Sequence, residues 1–259
     1  MDLGIAGRKA IVCASSRGLG RACAHALAQA GCEVVINGLD AARLEAAAAD
    51  LRKTTGAKVT AVQADVATPE GQAALFNACP EPDILINNNA GPPPRDFREL
   101  TRQQILDGVV ANMAVAIELI QKAIEPMTRK KFGRIVNITS GTVKLPQASL
   151  DLSSAARGGL TIFVAGVARQ VAANNVTINS LLPGAFETDR LKTVMGAAAK
   201  RRNISYEEAR TERIASIPAK RLGDIEGFGA TCAFLCSAQA GFITGQSILI
   251  DGGAFPGAM

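Results

Sequence analysis

Side chains that handle protons near neutrality are almost missing from this chain. It has one tyrosine, Tyr206, one histidine, His25, and no tryptophan in 259 residues. A metal site built on several histidines is therefore excluded, as is a serine or cysteine triad unless His25 alone supplies the base. The six cysteines form no Cys-x-x-Cys pair, and nothing before Lys9 reads as a secretory leader. The expectation is a reduced, cytoplasmic protein. Cys232 and Cys236 are spaced like two ligands on a helix face, but with Phe228 and Leu235 they form one apolar stripe and are assigned to the core. No apolar run approaches the ~20 residues of a spanning helix, so no membrane is expected.

What is present points to a globular α/β protein. A chain of 259 residues that is 48% hydrophobic and 20% charged can bury a substantial core. Its formal charge of +5 is uneven: residues 184–223 hold nine basic side chains against five acidic ones. The excess lacks interleaved aromatics, which argues against nucleic acid and for a solvated face or a local anionic ligand.

Apolar runs at Lys9–Ala14, Glu33–Asn37, Lys58–Ala64, Asp83–Asn87, Arg134–Ile138, Thr177–Leu181 and Ser247–Ile250 read as seven strands. Six helical stretches separate them: one after Gly20, others from Ala41, from Pro69, over Thr101–Met127, around Ser153–Ala172, and from Asp224. Repeated βα units of this length build a doubly wound parallel sheet with helices on both faces, a Rossmann fold that binds ligands at the strands' carboxyl ends. No linker interrupts the series, so residues 1–259 are read as one domain, with the irregular, basic stretch at about 184–223 as a substrate lid.

The first strand runs into Ala14-Ser15-Ser16-Arg17-Gly18-Leu19-Gly20. Glycines at such a turn let the backbone approach a pyrophosphate, and the next helix offers it free N–H groups and a positive dipole. Asp40 has the spacing of a ribose-binding acid but stands where it caps the following helix. The strand-end positions are then Asn37 and Gly38, neither acidic, and Arg17 can meet a 2′-phosphate, so NADP is expected ahead of NAD. His25 points away from the apolar stripe of its helix and is read as a surface residue.

With these motifs in place, the chain resembles the short-chain dehydrogenase/reductase family along nearly its whole length. The family's glycine turn falls on Cys13 to Gly20, with Ala14 where the first glycine is expected. Asp65-Val66 matches the pair at the adenine, Asn89-Ala90-Gly91 preceded by Asn88 the turn after the fourth strand, Asn112 the helix asparagine, and Ser140 the serine after the fifth. Pro183-Gly184 and Thr188 match the nicotinamide-side loop, and Asp251-Gly252-Gly253 the ending. Layout and ending are most similar to the 3-oxoacyl-carrier-protein reductase branch. The resemblance implies Ser15, Ser16, Arg17, Gly18, Leu19, Gly20, Asn37, Asp65, Val66, Asn89, Ala90, Gly91, Arg157, Pro183, Gly184 and Thr188 around the cofactor, and a homotetramer.

One departure bears on chemistry. Thirteen residues beyond Ser140, where the family carries Tyr-x-x-x-Lys, the chain has Ser153-Ser154-Ala155-Ala156-Arg157. In the family the phenol gives a proton to the substrate carbonyl and the lysine lowers its pKa and holds the ribose. A serine hydroxyl is a poorer acid held closer to the backbone, and an arginine stays protonated. Tyr206 sits in a Ser-x-x-Glu capping pattern, and Asp151 would need strong burial to act as an acid. General acid catalysis is worth about 10²–10⁴-fold, so its loss slows turnover without forbidding it. The expectation is an NADP-preferring oxidoreductase that moves a hydride between nicotinamide and a small-molecule carbonyl or alcohol, including an anionic or carrier-linked 3-oxoacyl thioester. Ser140, Asn112, Ser153 and Arg157 are its catalytic candidates. The alternative is a nucleotide-binding sensor or a non-catalytic partner subunit.

Overall fold

The computed structural model describes residues 2–257. Seven parallel strands form one sheet: β1 Lys9–Val12, β2 Glu33–Gly38, β3 Val59–Gln63, β4 Ile84–Asn87, β5 Gly133–Ile138, β6 Val176–Pro183 and β7 Ser247–Ile250. Their order is β3-β2-β1-β4-β5-β6-β7, so the order in which successive strands are added reverses between β1 and β4. The apolar runs are uninterrupted because both faces are covered. Ala10 and Val12 join one buried cluster with helices α1 (Gly18–Gln29), α2 (Ala41–Thr55) and α9 (Ile225–Leu235). Ile11 and Cys13 point the other way, into a second cluster with α3 (Pro69–Ala78), α5 (Val115–Lys130) and α6 (Asp151–Val171). Successive strand side chains face opposite sides, so the two clusters are the two faces of the sheet.

The start signals in the sequence work as expected. Asp40 accepts the Arg43 N–H at 2.9 Å and caps α2, and Thr68 caps α3 ahead of Pro69. Cys232 and Cys236 are fully buried beside Phe228 and Leu235, as the stripe required. His25 is half-buried rather than a free surface residue.

Three elements differ from expectation. The helix read over Thr101–Met127 is α4 (Arg102–Val109), a wider π turn over Val110–Ala114, and α5. By length and composition alone Arg102–Lys130 matches a membrane-spanning helix. Asp107, Glu118, Lys122 and Glu125 break it up in the sequence, and in the fold Val115, Leu119, Ile120, Ala123 and Met127 pack on the sheet. The stretch 184–223, expected to be irregular, contains α7 (Asp189–Arg202), capped by Thr188, and α8 (Tyr206–Ser216), capped by the Ser205–Glu208 box. Periodicity missed both because each buries so little: Met195 and Ala199 on α7, Ala209 on α8. Finally, β1 stops at Val12 because Ala14 turns into the left-handed region at φ 45°.

Candidate active site

The loops at the carboxyl ends of β1, β4, β5 and β6 meet at the point where the strand order reverses. Gly20 at the start of α1 leaves no room for a side chain: a Cβ would lie 2.5 Å from the Ala14 carbonyl oxygen and 2.8 Å from Asn88 Nδ2. That oxygen accepts the Asn88 amide at 3.2 Å, which ties the first turn to the loop after β4. Gly18 takes φ +58°, and Thr188, at the head of α7, lies 3.8 Å from where its Cβ would be. No side chain caps α1, so the amides of its first turn stay free for an anion.

Two expected cofactor contacts turn inward instead. Ser15 is fully buried; its Oγ donates to the Val12 carbonyl at 2.6 Å and accepts the Asn37 N–H at 3.0 Å. Asn37 is 2% exposed, receives the Ala14 N–H, and donates to the Val62 and Ala64 carbonyls. Both side chains hold the turn and β2 in register because their polar atoms are already spent on backbone. Ser16, in the turn after β1, is half-buried, and its Oγ lies 3.0 Å from where a Cβ on Gly38, at the end of β2, would be. Arg17 is exposed and paired with Asp189 on α7 at 2.7 Å. Asp65 is exposed, Val66 buried beside it, and Leu19 sits on the inner side of the turn.

On the other side of the reversal, a chain of hydrogen bonds joins three elements. Arg157 Nε donates to Ser153 Oγ at 3.2 Å, Ser153 donates to Asn112 Oδ1 at 3.0 Å, and Asn112 Nδ2 donates to the Ala90 carbonyl at 3.0 Å. The π turn places Asn112 in this chain; such turns recur at functional sites. Arg157 also donates to the carbonyls of Ile138 at 2.8 Å and Asn89 at 3.4 Å. It is 9% exposed, and burial, reinforced by the nearby Arg190, pushes its pKa down to about 10, so it remains a cation at neutral pH. Ser140, after β5, accepts from the Thr142 amide and hydroxyl at 3.2 and 2.9 Å and leaves its own proton uncommitted. Its loop reaches the end of β6: the Pro183 carbonyl lies 3.3 Å from where a Gly141 Cβ would be, and Gly184 donates to Ile250 at 2.9 Å.

Asp151 is exposed at the head of α6, where it accepts the Ser149 N–H, and Tyr206 opens α8, so neither stands in for a buried acid. Arg202 is paired with Glu212 at 2.6 Å, and Arg201 donates to Ser149 Oγ. A residue missed by the sequence reading is Arg190, which opens towards Gly91 and donates to the Pro92 carbonyl at 2.8 Å. Its only sequence signal was membership of the basic stretch. Among the described residues no group of His, Cys, Asp and Glu could hold a metal ion.

The comparisons with known proteins agree with this geometry. The family model described as Enoyl-(Acyl carrier protein) reductase matches residues 13–254. The chain is 32% identical to the NADPH-dependent reductase BacG of Bacillus subtilis, over 95% of this chain and 97% of the relative. It is 29% identical to the 3-oxoacyl-[acyl-carrier-protein] reductase FabG of Vibrio cholerae, over 98% and 99%. The crystal structure of L-sorbose reductase from Gluconobacter frateurii, complexed with NADPH and L-sorbose, superposes with a TM-score of 0.92 at 26% identity, covering 99% of this chain and all of that one.

Proposed function

The chain belongs to the short-chain dehydrogenase/reductase family, and from that premise we propose an NADP-dependent oxidoreductase acting on a carbonyl or alcohol carbon. The observation that carries the reading is the convergence of the uncapped α1 terminus, the Ser140 hydroxyl and the Arg157–Ser153–Asn112 chain at one reversal of the sheet.

The residues present fit the dinucleotide. Gly18, Leu19 and Gly20 bring backbone and free amides to the place of a pyrophosphate, and Ser16 and Arg17 lie where a 2′-phosphate belongs. No acidic side chain stands at the end of β2 to favour a bare ribose, since Asp40 caps α2. Asp65 and Val66 border the adenine side; Asn89, Ala90, Gly91, Pro183, Gly184 and Thr188 border the nicotinamide side. Bound there, NADP would supply or take the hydride. Ser140 donates its free proton to the substrate oxygen and polarises it. Ser153 keeps its proton on Asn112 and orients the Arg157 side chain, whose fixed positive charge stabilises negative charge that develops nearby. A small cavity lined by Asn87, Asn89, Asn112 and Arg157 leaves room beside Asn112 for a water that would carry a proton to the site.

Residues 184–223 are the lid, and 3-oxoacyl thioesters are the first substrates to try, given the FabG relative. Ile105, Leu106, Val109, Val110 and Ile162 are exposed apolar residues on α4, the π turn and α6, and they support the homotetramer, which light scattering tests.

A second reading is favoured by one observation: the Ser153 proton is spent on Asn112, so no acid stands where the resemblance places a phenol. On that reading the protein binds nucleotide as a sensor or partner subunit. Wild type is compared with Ser153→Tyr plus Arg157→Lys across ketones, oxo acids and 3-oxoacyl thioesters. Efficient wild-type turnover supports the oxidoreductase; turnover by the double variant alone supports the second reading.

A further inference from the structure

We propose that Arg190 makes the nicotinamide side of the cofactor site select the reduced nucleotide, so that the protein loads with NADPH and works in the direction of carbonyl reduction. The inference rests on the reading that puts Asn89, Ala90, Gly91 and Thr188 at the nicotinamide side, and goes beyond it to the oxidation state held there.

Arg190 lies in the first turn of α7, two residues after Thr188, and reaches across to the loop after β4, where its Nη2 donates to the Pro92 carbonyl at 2.8 Å. Arg157 reaches the same loop from α6 and donates to the Asn89 carbonyl at 3.4 Å. The two side chains converge over Gly91: from the point where a Cβ on Gly91 would sit, Arg190 Nη2 is 3.3 Å away and Arg157 Nη2 3.7 Å. With no side chain on residue 91, the space beside both guanidinium groups stays open.

Neither cation has a counter-charge. Arg157 meets only Ser153 Oγ and the Ile138 and Asn89 carbonyls, and Arg190 only the Pro92 carbonyl. The small cavity that Arg157 lines is otherwise walled by asparagines and apolar side chains. Among the described residues no carboxylate lies within 4.0 Å of either guanidinium; Asp189, the neighbour of Arg190, is taken by Arg17, and Asp151 at the head of α6 accepts from Ser149. The two charges act on each other, since Arg190 adds to the burial that pushes the Arg157 pKa down to about 10. Burying one cation without an anion is costly, and a second cation beside it raises the cost.

A dinucleotide meets these cations with two kinds of charge. Its phosphates are attracted to them, but the oxidised and reduced forms carry the same phosphates, so that attraction cancels when the two are compared. The forms differ at the nicotinamide ring, which is a cation when oxidised and neutral when reduced. Two uncompensated cations on that side of the site therefore penalise the oxidised form alone. Arg157 supplies one of them, and Arg190, carried in on α7, the second. In the direction of reduction the carbonyl carbon takes the hydride with its electron pair and the oxygen takes a proton. The alcohol then leaves beside an oxidised nucleotide that the site holds less tightly, so loading of NADPH and release of NADP⁺ are both favoured.

The test uses the full chain at constant ionic strength. Nicotinamide fluorescence titrates NADPH, and calorimetry titrates NADP⁺ and 2′,5′-ADP, which has the adenosine and its phosphates but no nicotinamide. The proteins are wild type, Arg190→Gln, Arg190→Lys and the exposed control Lys53→Gln. A unit charge acting on another across partly exposed protein is worth roughly 3- to 10-fold in affinity. The proposal expects wild type and the Lys53 control to bind NADPH ~10-fold more tightly than NADP⁺, and Arg190→Gln to narrow that ratio at least ~3-fold. Arg190→Lys, which keeps the charge, should hold the ratio within about twofold, and 2′,5′-ADP affinity should stay within about twofold throughout. A wild-type ratio near one overturns the proposal. So does an Arg190→Gln variant with an unchanged ratio, including one that loses both dinucleotides together, which assigns Arg190 to the phosphates or to the fold. Carbonyl turnover is read separately: if no carbonyl is turned over, the hydride-transfer reading fails, while the nucleotide ratio still decides which oxidation state the site selects.

Discussion

Arg157 Nε donates to Ser153 Oγ at 3.2 Å, one turn back along α6, and Ser153 in turn gives its proton to Asn112. The serine is thus a fixed link between a buried cation and the asparagine of the π turn, whereas the Ser140 hydroxyl keeps a proton to spare. This relationship separates two jobs that a phenol and a lysine perform together in the family. On the proposed reading Ser140 would meet the substrate oxygen and Arg157 would supply the charge.

The charge sets a pH window. Burial and Arg190 hold Arg157 at about 10, below its usual value, so the guanidinium is charged through neutrality and loses its proton as pH rises through about 10. Nucleotide binding that uses the charged form should be level, so NADPH affinity should hold from about pH 6.5 to 9 and fall above it. A decline centred near pH 7 would point to a different group.

Arg17 is paired with Asp189, between the first turn and α7, and that pair competes with any 2′-phosphate for its guanidinium. An exposed pair of this kind is worth about 0.2–1 kcal/mol. Asp189→Asn should release Arg17 and tighten NADPH up to about fivefold with NADH unchanged. Fluorescence titration of both nucleotides checks it, and an equal gain for both would show that Arg17 does not read the phosphate.

Ala14 occupies the left-handed region at φ 45°, where the family has glycine. An alanine there costs about 1 kcal/mol. Ala14→Gly should therefore raise stability by about that much, a rise of roughly 2–4 °C in melting temperature. No rise, in a variant whose NADPH affinity is intact, would mean the turn relaxes without strain.

Arg134 is 1% exposed and stacks 4.4 Å from the Phe132 ring. Its guanidinium donates to the carbonyls of Gly133, Asn175 and Ser237, the last just beyond α9. Arg134→Met strands these buried acceptors and should cost about 3 kcal/mol or more. Urea unfolding measures it; a loss below about 1 kcal/mol would show that water replaces the guanidinium.

Much of the fold was legible because its signals are local. Uninterrupted apolar runs marked all seven strands, and Asp40 announced the helix it caps. The glycine turn could be placed from its context between a strand and a helix, and the resemblance placed Asn112, Ser140 and the Ser153–Arg157 frame. Helices α7 and α8 could not be read, since they bury three residues between them and leave no periodic stripe. The π turn was hidden because one extra residue barely alters a helical pattern.

The sequence alone determined the order of strands and helices, the glycine approach to a dinucleotide, and the lack of a phenol at position 153, because each depends on residues near one another in the chain. Only the tertiary structure decided which polar groups are free. It spent Ser15 and Asn37 on the backbone, tied Ser153 to Asn112, gave Arg17 to Asp189, and brought Arg190 from α7 to the loop at Gly91 and Pro92. Those outcomes follow from contacts between distant segments, and burial sets their energies.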